Sequence, residues 1–174
     1  DARGCPAGGA RQAWSSMTGN GTTDPGADHP RVVRVERMIP ADAATIFDVL
    51  ADPRQHRDID GSGSVKHTSG TPPERLALGS RFGMSMRLGV PYVIRNEVVE
   101  FDEGRRIAWR HYGHHVWRYR LEPVPGGTMV TEEFDWRTSR VPWVLQLVKA
   151  PERNAVAMER TLERLEDHVA PRGA

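Results

Sequence analysis

The rhythm of apolar and polar positions changes three times along this chain. From Arg31, RVVRVERMI alternates with a period of two, and Val33, Val35 and Ile39 share one face with Arg37. Pro40 ends that strand. ADAATIFDVLAD then carries Ile46, Val49 and Leu50 at helical spacing, with Asp42 in the first turn, where a negative charge suits the helix dipole. Asp52-Pro53 stops the helix, PRQHRDI reads as a short second helix or turn, and DGSGS is a turn that could close over a pocket.

Alternation returns in the middle of the chain. Phe82, Met84, Met86 and Leu88 form one face, and Tyr92, Ile94, Asn96 and Val98 the next. Ile107, Trp109 and His111 follow, then a turn at Tyr112-Gly113-His114. His115, Trp117, Tyr119 and Leu121 alternate with Val116, Arg118, Arg120 and Glu122, and Pro125-Gly126-Gly127 turns into Val130, Glu132, Phe134 and Trp136. One face is apolar and the other solvated, the pattern of an antiparallel meander. The last rhythm is helical: Val144, Leu147 or Val148, Pro151, Ala155, Met158, Leu162, Leu165 and Val169 form a stripe, with a kink or break expected at Pro151.

A sheet with one apolar face must cover it, and the last helix is the only element long enough. The expected architecture is α+β: a curved antiparallel sheet of about six or seven strands around a long C-terminal helix, with two short helices after the first strand. The inward positions carry aromatics and flexible methionines (Trp109, Trp117, Tyr119, Met84, Met86, Met158), which either fill the interior or line a hollow; the expectation is a hollow.

Composition narrows the picture. Lys and Arg number 24 against 23 Asp and Glu, with the signs interspersed, so no basic stripe suggests nucleic acid. A single cysteine, Cys5, excludes an intrachain disulfide and fits a reducing compartment; cytoplasm is the expected location. No apolar run approaches the roughly 20 residues of a membrane span, so stable membrane insertion is not expected. Residues 1–29 are rich in Gly, Ala, Ser and Thr and are expected to form a disordered or loosely attached tail, residues 30–170 a ligand-binding domain, and 171–174 a frayed end.

The stretches VERMIPADAATIFDVLADPRQH, LGSRFGM, GGTMVTEEFDW and NAVAMERTLERLED, in this order over about residues 31–170, resemble the START-like (SRPBCC) superfamily, in particular its polyketide cyclase/dehydrase and lipid-transport branch. The resemblance implies a helix-grip fold with a deep hydrophobic cavity. It implies no single activity, since relatives of this kind include cyclases, dehydratases, carriers, sensors and regulators.

Four polar side chains interrupt the inward faces: Arg37, Asn96, His111 and Glu132. His111 and Glu132 are the candidate proton carriers, because an imidazole titrates near neutrality and a desolvated carboxyl gains proton affinity. Arg37 and Glu132 could instead pair with each other. The candidate ligand-binding set is Arg37, Phe82, Met84, Met86, Tyr92, Ile94, Asn96, Trp109, Trp117, Tyr119, Phe134 and Met158. His111, His114 and His115 lack a completing carboxylate or cysteine and read as solvated turn histidines, so no metal and no cofactor is expected. The leading reading is a carrier or sensor for a small hydrophobic molecule: a polyketide, a lipid or an aromatic metabolite. The alternatives are a cyclase or dehydratase working by general acid/base chemistry, and a protein-partner module using the open sheet face or the Trp136–Trp143 segment. A homodimer is left open.

Overall fold

The computed structural model describes residues 29–170. The tail expected at 1–29 (but for His29) and the frayed end at 171–174 lie outside the described residues. β1 (Val32–Ile39) is followed by α1 (Ala43–Ala51) and the single turn α2 (His56–Ile59). β2 (Val65–Ser69), β3 (Arg81–Leu88), β4 (Val90–Asp102), β5 (Arg106–His111), β6 (Val116–Val124) and β7 (Gly127–Asp135) complete a meander, and α3 (Pro142–Leu147) and α4 (Ala150–Val169) end it.

All seven strands form one curled antiparallel sheet in the order β1-β7-β6-β5-β4-β3-β2. The chain therefore leaves one edge after β1, crosses the whole sheet through α1 and α2, and returns strand by strand. Pro40 ends β1 and Asp42 caps α1 by accepting the Thr45 amide at 2.8 Å, so the acid stands at the cap rather than inside the first turn. A bulge between Val98 and Glu100 breaks the β4–β5 register, the kind of irregularity that sharpens a sheet's bend.

The concave face is gripped by α4, which packs on β1 and β7, while α2 packs against α4. Ile39, Ile46, Phe47, Leu50, Ile107, Val130, Leu162 and Leu165 close one end of the space and are fully buried. The apolar stripe of the C-terminal region is not continuous. Lys149 adopts a left-handed backbone (φ 50°) between α3 and α4, and Pro151 opens α4. The phase restarts there, leaving Leu147 and Val148 exposed and turning Leu145 inward instead. Among the described residues no helix is long and apolar enough to cross a membrane.

Gly61 fixes the loop after α2 against α4. A Cβ at this position would stand 2.1 Å from the Ala157 carbonyl oxygen and 2.4 Å from the Thr161 amide nitrogen, so only glycine fits. The Gly61 amide donates to the Thr161 hydroxyl at 3.0 Å, which in turn donates to the Ala157 carbonyl.

Candidate functional site

Cross-strand registry sets out the concave wall in rows. Glu132 stands opposite Tyr119, Phe134 opposite Trp117, and Trp117 opposite Trp109. Asn96 lies opposite both His111 and Phe82, and Met84 opposite Ile94. Because alternate residues share a face, these side chains project together, and α4 adds Asn154, Ala157, Met158 and Thr161 from one helical stripe. Between the two walls lies a cavity of about 360 Å³, within the size range of small-molecule pockets.

Two aromatic groups frame it. The His56 ring lies on Trp109 (4.9 Å, 23°), Phe82 meets both edge-on, and Tyr119 leans on Trp109 at 5.5 Å. Further along, His111 and His115 stack at 4.6 Å, and Phe134 contacts His115 and Trp117. Since Tyr119 and His115 are four residues apart on one extended segment, the two polar stations beside Glu132 and beside the histidines are separated by about 13 Å.

The proton chemistry follows from burial. Glu132 is 2% exposed, and its Oε1 accepts the Tyr119 hydroxyl at 2.8 Å. Oε2 has no hydrogen-bond partner among the described residues. Desolvation pushes the carboxyl up to about 8 against the partial relief of the Tyr119 bond, and the negative charge of Asp60 adds to the rise. Burial also pushes the Tyr119 phenol well above its ordinary value. His115 is lowered to about 4, chiefly by burial and then by His111, and burial lowers His111 too. His56 is lowered by burial, and its Nε2 stands 2.8 Å from the Leu50 carbonyl. A carbonyl only accepts, so Nε2 carries the proton and the ring is a neutral donor there.

Of the side chains named from the sequence, Phe82, Met84, Met86, Tyr92, Ile94, Asn96, Trp109, His111, Trp117, Tyr119, Glu132, Phe134 and Met158 line the cavity. Arg37 does not. It reaches past the end of β1 to α4, where Glu166 takes its Nε and Glu163 stands 3.9 Å away, and its side chain remains 40% exposed. Arg37 and Glu132 therefore do not pair. His111 and His115 are not simply solvated turn residues: both line the cavity, and the Gly113 amide donates to His111 Nδ1 at 2.9 Å. Sequence reasoning missed His56, Leu145, Arg153, Asn154 and Thr161, while Asp60, Ser62 and Ser64 belong to the DGSGS turn read as able to close over a pocket. His56 and Ile59 at a three-residue step hinted at an inward face on α2; polar residues on α4 gave no such signal. Among the described residues no three His, Cys, Asp or Glu side chains are grouped to hold a metal ion.

Compared with known proteins, residues 30–170 match the family described as polyketide cyclase / dehydrase and lipid transport. The chain is 35% identical over 145 residues to the uncharacterized protein Rv0088 of Mycobacterium tuberculosis (strain ATCC 25618 / H37Rv), covering 79% of this chain but 64% of that one. Its fold is shared with protein CV1439 from Chromobacterium violaceum (TM-score 0.62, 15% identity, 82% of this chain and 99% of that one). It is shared also with the AHSA1-like protein from Aeromonas hydrophila (TM-score 0.59, 18% identity, 82% and 98%). At such identities these two likenesses concern the fold alone. Sequence match and helix-grip architecture together place this chain in the polyketide cyclase/dehydrase and lipid-transport family, to which it belongs.

Proposed function

We propose that the chain binds a small, largely apolar molecule in its cavity, as a carrier or sensor. The observation that carries this reading is the hollow of about 360 Å³ left between α4 and the aromatic and methionine wall. Transfer of apolar ligand surface into it contributes about 25 cal/mol per Å² buried. Polar groups at either end of the wall then set the ligand's orientation. Native mass spectrometry of freshly purified protein tests the reading: an apolar compound is expected to co-purify and to be lost in Met84→Trp, which fills the hollow. An empty wild-type chain that also fails to take up apolar metabolites from an extract would overturn it.

A second reading, a cyclase or dehydratase, is favoured by one specific feature. Burial raises the proton affinity of Glu132 and lowers that of His115 and His111, so a neutral acid and neutral bases face one cavity. Under this reading Glu132→Gln abolishes turnover of a bound carbonyl compound while leaving its affinity within about threefold. Unchanged turnover in that variant would sink it.

A further inference from the structure

Glu132 lines the cavity and keeps one buried carboxyl oxygen that no neighbour among the described residues satisfies. Tyr119 of β6 occupies Oε1, and Oε2 is buried and without a partner among the described residues. A buried polar atom left unpaired costs free energy, and the cavity is where a partner can arrive. Its surroundings decide what kind of partner that is. β1 presents Val35 opposite Glu132, and α4 presents Met158 and the Thr161 hydroxyl. The loop after α2 presents Asp60, whose charge has the same sign. His56, His111 and His115 are held neutral by burial, and the cation lining the cavity, Arg153, is exposed on α4 two turns before Thr161. A carboxyl so placed keeps its proton at neutral pH, and with Oε1 already accepting from Tyr119 the proton belongs on Oε2.

Resting on the cavity-binding reading above, we propose that Oε2 of Glu132 is the hydrogen-bond donor that selects ligands carrying an uncharged carbonyl oxygen at their buried end. The same site rejects carboxylates, because a ligand anion would meet the Glu132–Tyr119 pair and Asp60, and among the described residues lining the cavity no buried cation offsets its charge. Glu132 is thus a specificity-determining residue, and the aromatic and methionine side chains of the wall supply apolar contact without regard to that oxygen.

Equilibrium dialysis with three probes of one shape separates these contributions: 2-acetylnaphthalene, 2-isopropylnaphthalene and 2-naphthoate. At pH 6.5 the wild-type chain is expected to hold the ketone about tenfold more tightly than the hydrocarbon, and the carboxylate least. At pH 9 the ionised Glu132 can no longer donate, and the ketone's advantage disappears. Glu132→Gln, whose amide also donates, keeps the preference at both pH values. Glu132→Leu binds ketone and hydrocarbon alike, its hydrocarbon affinity showing that it is folded; should it fail to fold, the lost pH dependence in Glu132→Gln decides. Equal affinity of wild type for ketone and hydrocarbon, or a preference that survives in Glu132→Leu, overturns the assignment while leaving the cavity reading intact. Failure of all three probes to bind removes the cavity reading itself.

Discussion

Glu132 and Glu133 are consecutive on β7, face opposite sides of the sheet, and are 2% and 1% exposed. On the concave side Glu132 has a phenol for company, and on the convex side Glu133 lies among guanidinium groups. Arg34 pairs with Glu133, Arg118 donates to it at 2.7 Å, and Arg120 Nε stands 3.7 Å away. Arg118 is itself held by Glu100 through bonds of 3.0 and 2.6 Å. Equal concealment from water thus gives opposite outcomes. Where fixed cations supply the balance, burial yields an ion-pair lattice that knits β1, β7, β6 and β4. Where they do not, the side chain balances itself by keeping a proton, and an acid becomes a donor facing a cavity.

The difference can be broken most severely from the convex side. Glu133→Ala strands Arg118 without its buried partner and is expected to cost about 3 to 5 kcal/mol in urea unfolding. A loss below 1 kcal/mol would mean that Glu100, with Asp135 3.9 Å away, suffices. The concave side responds to pH instead. Folded protein holds the Glu132 proton up to about pH 8, whereas the ordinary carboxyl value is 4.5, so the folded state binds more protons throughout that window. Stability therefore falls as pH rises from about 4.5 through about 8, by on the order of 5 kcal/mol. Urea midpoints of wild type and Glu132→Gln, compared from pH 5 to pH 9, should diverge accordingly; parallel curves would contradict the buried neutral acid.

His115 acts in the reverse direction. Its proton affinity is lowered from 6.5 to about 4, so the unfolded chain binds more protons between those values and stability is lost as pH falls through them. Allowing for its partial exposure, the loss is roughly 2 kcal/mol, and His115→Phe should remove it from thermal scans between pH 7 and pH 4. The smallest effect belongs to Arg37→Ala. Its pair with Glu166 lies in partly exposed surroundings, and removing it should change stability by about 1 kcal/mol or less, with no change in ligand affinity.

The sheet is legible in the sequence because period-two alternation fixes which side chains face inward, and a slip of one residue would turn Phe134 and Val130 outward in exchange for Asp135 and Thr131. The inward set of β3 to β7 follows from that rule except beyond the bulge in β4, where the phase shifts and Phe101 turns onto Phe47. Arg37 obeys the same alternation on β1 yet misses the cavity. The side chain is long, and glutamates contributed by α4, more than a hundred residues away, claim its guanidinium. Asp60, Ser62 and Ser64 belong to a loop with no period, and Arg153 and Asn154 sit on a helix whose polar residues look like a solvated face. Their approach to the cavity depends on how α4 lies across the sheet, which pattern does not encode. Alternation alone singles out Glu132 over Glu133 as the inward, desolvated acid; what it does not encode is that Tyr119 takes one of its oxygens while the other finds no partner among the described residues.

Loop 60–64 and α4 are joined so closely at Gly61 that neither can swing without the other, which makes that flank of the cavity a jamb. The flank lined by Leu145 is held differently: α3 is a short panel that joins α4 through the left-handed backbone of Lys149. Amides of 143–148 should accordingly exchange with heavy water faster than those of 60–65, and a ligand's residence time should follow the swing of that short panel, independently of how tightly the jamb is built.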